Sequence, residues 1–542
     1  MARRVAIETG KSPSGATWTR RPGPDVDALV RNGYGHHLEG NLAVAITAYR
    51  KAISLDPGRF DVWYVLGVAE SDAGRHGDAI PCLRRALALR PRHARAQFQL
   101  GKALFAGGEV DAALHFLRAA ARHGDLELRH EALARIARYI PGSPLANNAT
   151  VLKARRRWAE IEAERHVGER LHPRRRDPGP LRIGYVSSFF GSRNWMKPVW
   201  GVVNHHDRKR LALHLFSDGR PPTHSAGYRP HPTDRIHDIR GLSNRNVAAA
   251  IADIGIDVLI DLNGYSAQER LGVFMLRPAP VGIGWFNMYA TTGIDTFDYI
   301  VGDDVVMPRT EERYYAERVI RVAGSYLAFS VLYPVPQVAP PPCSRGDPFT
   351  LGSFASQYKL ADEVIAAWAE ILNRAPRARL LLRNRALSEA CNRKALLERF
   401  RRYGPAADRV LLRGPAEHRA FLAAYADIDV ALDTFPYNGG TTTTEALWQG
   451  VPVLTFQGDR WASRTSASLL QAAGLGEWCL PDLRAYVERA VSLANAPATC
   501  RELAQLRSEM RRRLRHSAVC DTAGLCRSLE SLYRQVSRHA EA

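Results

Sequence analysis

The chain has 542 residues, 46% hydrophobic and 24% charged, a globular composition with length enough for two to four domains. A single small module and a disordered or fibrous chain are excluded, and no run approaches the roughly 18 apolar residues that a spanning helix needs. Seventy-five Lys plus Arg against 55 Asp plus Glu leave +20, but the runs Arg155-Arg156-Arg157, Arg174-Arg175-Arg176 and Arg511-Arg512-Arg513 come without a zinc-finger, basic-zipper or RNA-binding signature, so no specific nucleic-acid partner is expected.

Residues 1–23 begin Met1-Ala2-Arg3-Arg4 and read as a basic, disordered N-terminus without the apolar core of a secretory leader. Over residues 24–140 a period of 34 dominates: Gly33, Gly67 and Gly101; Gly40, Gly74 and Gly108; Ala45, Ala79 and Ala113; Ala52, Ala86 and Ala120; Pro57 and Pro91. Small residues at fixed offsets let antiparallel helices approach closely, and proline closes a pair because it cannot continue the hydrogen-bond ladder. The pattern resembles the tetratricopeptide repeat, with about three repeats and a cap or further helix pair over Leu126 to Tyr139. Its concave groove suits a protein substrate; a rigid spacer is the alternative.

Residues 141–180 form a linker, with a charged helix around Val151 to Arg165 and a Pro/Arg-rich stretch from Pro173 to Pro180. Over 181–333 short β-rich runs alternate with helical patterns: Leu181 to Ser187, Leu211 to Ser217, Asp257 to Leu262 and Val281 to Phe286. A Pro-rich break, 334–348, precedes a second series over 349–496, with strands at Phe349 to Phe354, Leu380 to Arg383, Val410 to Leu412, Asp429 to Asp433 and Val451 to Phe456. This alternation predicts two doubly wound α/β lobes of Rossmann type, with a ligand cleft between the carboxyl ends of their strands. The fold class is thus an α-solenoid followed by two α/β lobes. Residues 497–542 read as basic helices. Seven cysteines without a CxxC pair read as free thiols of a cytoplasmic protein, with neither a disulfide framework nor a zinc site.

The most informative segment runs Asp429-Val430-Ala431-Leu432-Asp433 into Thr434-Phe435-Pro436-Tyr437-Asn438-Gly439-Gly440 and on through Thr441-Thr442-Thr443-Thr444-Glu445. A buried strand leads through a glycine turn into a helix, where unpaired amides and the helix dipole favour phosphate. Glu445, taken to lie on the first helical turn, stands where it could bond ribose hydroxyls. Equally, Thr441 could cap the helix and Glu445 satisfy the capping pattern.

This segment resembles the catalytic region of the O-GlcNAc transferase and SPINDLY family. Other blocks agree: Asp261-Leu262-Asn263-Gly264-Tyr265-Ser266 with Arg270; Arg277-Pro278-Ala279-Pro280-Val281; Thr291-Thr292-Gly293 with Asp298-Tyr299; Gly352-Ser353-Phe354 with Tyr358-Lys359; then His418, Tyr425, Ser463-Arg464 and Gly474-Leu475. The resemblance covers roughly residues 181 to 495 and implies a GT-B, metal-independent, inverting glycosyltransferase. It would move a sugar, with UDP-N-acetylglucosamine the leading donor, to Ser or Thr of protein substrates. By the resemblance Lys359 reaches the diphosphate and His418 lies beside the nucleotide; Gly439, Gly440, Thr441, Thr442, Glu445, Tyr358, Ser463 and Arg464 belong to the nucleotide-sugar site. Asp261, Gly264, Tyr265, Thr291, Thr292, Gly293 and Lys197 are assigned to the donor or acceptor cleft. A strand-end aspartate such as Asp261 can equally be a turn residue.

Asp427-Ile428-Asp429 matches the D-x-D of metal-dependent sugar transferases, but it precedes its strand, and no metal or other cofactor is expected. The chain departs from the family over Ser187 to Pro198, where Phe189 replaces an acid and the histidines of that block are absent. Lys197 or Arg193 could substitute as cations, and the general base is left unassigned. GDP-fucose as donor, a glycan or small-molecule acceptor, and an inactive repeat scaffold are the competing readings.

Overall fold

The computed structural model describes residues 25–541 apart from 167, 172, 174–178 and 267–268. The expected disordered N-terminus, the Arg174 run and part of the Pro/Arg-rich linker lie outside the described residues.

Three helix pairs open the described chain: Val26–Leu38 with Leu42–Leu55, Phe60–Asp72 with His76–Leu89, and Ala94–Gly107 with Val110–His123. The period of 34 has a direct packing cause. A Cβ added at Gly33, Gly67 or Gly101 would fall 2.6 to 2.8 Å from Tyr49, Leu83 or Leu117, the facing side chain of the partner helix. Ala45, Ala79, Ala113, Ala52, Ala86 and Ala120 are fully buried. Gly40, Gly74 and Gly108 take φ of +81°, +75° and +94° in the turns inside each pair, where an L side chain would be strained. The expected cap is one helix, Leu126–Tyr139, packed against Asn148–Glu164.

The first lobe is a seven-stranded parallel sheet, ordered β3-β2-β1-β4-β5-β6-β7. Its strands are β1 (Leu181–Ser187), β2 (Leu211–Ser217), β3 (Arg235–Asp238), β4 (Val258–Asp261), β5 (Val281–Gly284), β6 (Tyr299–Gly302) and β7 (Arg318–Arg321). The second lobe is six-stranded, ordered β10-β9-β8-β11-β12-β13, with β8 (Thr350–Ser353), β9 (Arg379–Arg383), β10 (Val410–Arg413), β11 (Val430–Leu432), β12 (Val453–Phe456) and β13 (Cys479–Leu480). The strands β3, β6, β7 and β13 carry weak sequence signals: each is two to four residues long, and β3 and β7 bury none of theirs.

Two long-range dockings set the arrangement of the parts. The repeats lie against the second lobe, although the first follows them in sequence: Asn392 accepts the Gly77 amide at 2.9 Å and donates to the Gly74 carbonyl at 2.8 Å, and Arg399 donates to the Gly107 carbonyl at 2.9 Å. The last helix, Thr522–Glu541, returns to the first lobe. There the Tyr533 and Tyr185 hydroxyls lie 3.1 Å apart, and Glu530 pairs with buried His206 at 3.0 Å. One expectation is corrected here. Cys343 of the inter-lobe linker and Cys500 form a disulfide, because folding brings residues 157 apart in sequence to a Cα separation of 5.6 Å, which spacing alone cannot reveal. Cys82, Cys391, Cys479, Cys520 and Cys526 are free.

Candidate active site

The helix Thr441–Trp448 begins at the carboxyl end of β11, and its first-turn amides have no side-chain cap, since the N-cap is Gly440. Thr441 is therefore inside the helix and not its cap, and Glu445, the fifth helical residue, sits on the second turn. Asp433 locks the preceding loop by accepting the amides of Thr434 at 2.9 Å and Gly439 at 2.8 Å and the Thr455 hydroxyl at 2.9 Å. The Gly439 amide is thus turned inward. A Cβ there would fall 2.5 Å from the Thr442 hydroxyl, so this glycine serves close packing, and Gly440 is the one that faces the cleft.

Lys359 ends the short turn Gln357–Lys359 that follows β8, and its Nζ donates to the Asn438 carbonyl at 2.6 Å and lies 4.4 Å from the Tyr437 ring centre. Burial lowers its pKa to about 8, against the opposing pull of Asp433. Beside it lies an inner cavity of ≈ 270 Å³ built from three parts of the chain: Arg138 and Tyr139 of the cap helix, Trp195 and Tyr265 of the first lobe, and Tyr358, Lys359 and Thr441 of the second. An outer cavity of ≈ 740 Å³, with Arg193, Asn384, His418 and Glu445 in its wall, shares Trp195, Ser356, Thr441 and Thr442 with it, so the two are one cleft.

The outer cavity holds two buried polar atoms without a hydrogen-bond or ion-pair partner among the described residues, His418 Nε2 and Asn384 Oδ1; a third, Glu445 Oε1, makes no hydrogen bond but faces the Lys197 ammonium. Buried polar atoms are nearly always satisfied in native structures, so a cluster of orphans in one cavity points to a polar ligand. Burial lowers the His418 pKa while Glu445 opposes it. Lys197 reaches Glu445 across the lobes, Nζ to Oε1 3.6 Å with both side chains 3% exposed, and burial lowers the lysine pKa against the pull of that carboxylate.

Several residues expected in the site stand elsewhere. Arg464 is neutralised by Glu311 of the first lobe through bonds of 2.7 and 2.8 Å, and Ser463 closes a local capping turn with Arg460; neither lines the cleft. Asp261 accepts the Asn263 and Gly264 amides at 2.9 and 3.0 Å, which is the turn role, with burial raising its pKa to about 7. Gly264 has φ +51° and its Cβ position is blocked by the Asn287 carbonyl. Thr291 donates to the buried carboxylate of Glu317 at 2.7 Å, the Thr292 amide and hydroxyl donate to the same carboxylate, and Gly293 packs on Arg155. Of this group Tyr265 alone lines the cleft, its hydroxyl bonded to the Thr292 carbonyl at 2.6 Å. His206, held by Tyr185 and Glu530, is remote from it. Sequence reasoning missed Phe105, Arg138, Tyr139, Trp195, Asn384 and Arg385. The first three sit in helices read as repeats or their cap, outside the recurring positions and outside any motif that carries chemistry.

A family model described as glycosyl transferase family 41 matches residues 166–329 and 347–529, and a tetratricopeptide repeat model matches 39–80 and 64–127. The chain belongs to glycosyl transferase family 41. The family 41 match runs past residue 495 into the closing helices, which pack back on both lobes. A Solanum lycopersicum protein named probable UDP-N-acetylglucosamine–peptide N-acetylglucosaminyltransferase SPINDLY is 30% identical over 364 residues, 66% of this chain and 39% of that protein. A Caenorhabditis elegans UDP-N-acetylglucosamine–peptide N-acetylglucosaminyltransferase is 24% identical over 482 residues, 67% of this chain and 41% of its own. The chain spans about two fifths of the length of these curated relatives. The solved structure of a mutant Thermobaculum terrenum O-GlcNAc transferase is similar over 95% of this family 41 chain and 98% of its own, with 31% identity and a TM-score of 0.76. The GT-B arrangement behind a helical repeat domain is shared with it.

Proposed function

We propose that this family 41 chain is a metal-independent, inverting glycosyltransferase that moves N-acetylglucosamine from UDP-N-acetylglucosamine to Ser or Thr hydroxyls of proteins presented by the repeats. The observation that carries this reading is the cleft between the two sheets, where the helix start at Thr441, the cation of Lys359, the orphaned His418 nitrogen and the Glu445 carboxylate converge. In this reading the first-turn amides and Lys359 hold the diphosphate, Glu445 the ribose, and His418 lies at the nucleotide.

Transfer breaks the bond between the anomeric carbon and the diphosphate oxygen and forms one to the acceptor oxygen on the opposite face. Negative charge grows on the leaving diphosphate, and fixed amides with an ammonium in a water-poor cleft stabilise that charge more in the transition state than in the ground state. The hydroxyl proton leaves to a phosphate oxygen or to water, since among the described residues no Asp, Glu or His lines the inner cavity. Asp429 is committed to the amides of Cys343 and Thr350 at 3.0 and 2.7 Å, which supports the metal-free reading. Among the described residues no helix is long and apolar enough to cross a membrane. A cytoplasmic setting fits the five free cysteines, and the Cys343–Cys500 bridge is the feature that argues against it; quantitative thiol labelling of protein from intact cells decides between them.

The test is calorimetric titration with UDP and GDP in the absence of metal, for the wild type and Lys359→Ala. Micromolar UDP binding weakened by the substitution supports the reading. GDP binding in its place moves the donor to a guanosine diphosphate sugar such as GDP-fucose, and binding of neither by folded protein removes the transferase reading.

A further inference from the structure

The inner cavity carries an uneven charge. Arg138, Arg155 and Lys359 face it, and no Asp, Glu or His lines it among the described residues. Two of these cations are already engaged. Arg155 donates to the carbonyls of Ala137, Met288 and Thr291, and Lys359 to that of Asn438. Arg138 differs: it forms no hydrogen bond or ion pair among the described residues, and its one contact of this kind is its guanidinium over the neighbouring Tyr139 ring at 5.9 Å.

Its position says which substrate it meets. Arg138 lies in the last turn of the cap helix Leu126–Tyr139, so it enters the cleft from the repeat side. It lines the inner cavity and not the outer one, where His418 and Glu445 stand. Around it Tyr139 stacks on Phe105 at 3.4 Å, and Phe105 on Tyr358 of the second lobe at 5.1 Å, a rigid aromatic wall joining the repeats to the catalytic turn. Farther out the charge is mixed: Lys102 is influenced by Arg135 but also by Asp72 and Glu131. The uncompensated charge is therefore local to the inner cavity.

We infer that Arg138 selects acceptors with a carboxylate beside the modified residue, an acidic side chain within about two positions of the Ser or Thr. A guanidinium in a partly dry cavity pairs with carboxylate bidentately and more strongly than at an open surface. This inference rests on the transferase reading above, but it is tested separately. The acceptor side is assigned because the side chain comes from the repeats; a carboxylate on the donor sugar is the other source of the same chemistry.

The experiment measures binding of fluorescent peptide pairs to the full chain saturated with UDP, with Asp against Asn flanking one Ser. The Asp peptide is expected to bind at least fivefold more tightly. Arg138→Gln should reduce that ratio below twofold, and Arg138→Glu should reverse it toward Lys-flanked peptides, each measured at a UDP concentration that saturates the variant. Equal binding of Asp and Asn peptides to the wild type, or a preference that survives Arg138→Gln, overturns the inference. Tighter binding of UDP-glucuronic acid than of UDP-glucose, lost in Arg138→Gln, overturns the acceptor assignment in favour of the donor. Failure of the wild type to bind any nucleotide removes the transferase reading itself, and this inference with it.

Discussion

Nucleotide binding should depend on pH through Lys359 in a way that an exposed lysine would not produce. Burial lowers the free ammonium to about 8, whereas a diphosphate seated against it favours the charged form and raises the value in the complex. The complex therefore holds a proton that the free site has lost. Affinity is full below about 8 and falls as pH rises through that value, until the raised pKa of the complex is reached. For a group titrating at about 8, the protonated fraction drops about tenfold from pH 7 to pH 9, so Kd for UDP should rise about tenfold, or ~1.4 kcal/mol. Calorimetry at pH 7, 8 and 9 in two buffers of different ionisation enthalpy gives both Kd and the protons taken up, which should approach one per nucleotide at pH 9. Lys359→Met should lose about 1.5–3 kcal/mol at pH 7, the worth of a charged hydrogen bond, and flatten the profile. A wild-type Kd constant over this interval, or the same slope in Lys359→Met, would refute the assignment of Lys359 to the diphosphate.

Lys197→Met strands the Glu445 carboxylate in a site where both partners are 3% exposed, and breaking such a pair costs about 3–5 kcal/mol; thermal unfolding should show most of that loss recovered in the Lys197→Met/Glu445→Gln double variant, and additive losses would count against coupling. Arg464→Ala removes the two-bond contact with Glu311 and should destabilise by about 3 kcal/mol while UDP affinity stays within twofold. A loss of UDP affinity in folded Arg464→Ala would return this residue to the binding site. Gly67→Val should cost about 1–3 kcal/mol in urea unfolding, because even its Cβ would fall 2.6 Å from Leu83; a neutral result would mean the helix pair is not closely packed there.

The sequence by itself determined the repeats, the two alternating lobes and the glycine turn that opens the helix Thr441–Trp448, because each is written in local, periodic or contiguous signals. Gly33, Gly67 and Gly101 recur because one helix-pair geometry recurs, and the Val430 to Glu445 segment carries strand, turn and helix start in sixteen consecutive positions. The residues near Lys359 in sequence also stay near it in space. The tertiary structure alone decided what those segments face. Ser463-Arg464 and Thr291-Thr292 look like site residues in a string of letters, but Arg464 meets Glu311 and Thr291 meets Glu317, and a charge or hydroxyl already paired in the interior has little left to offer a ligand. Arg138 shows the reverse, since nothing in the sequence marks it until the docking of repeats on the second lobe leaves it in the cavity without a hydrogen-bond or ion-pair partner among the described residues. The bridge of Cys343 to Cys500 and the return of Tyr533 to Tyr185 have the same origin. Contacts across hundreds of residues follow from how whole elements pack, and side-chain chemistry is set by the neighbour that packing supplies.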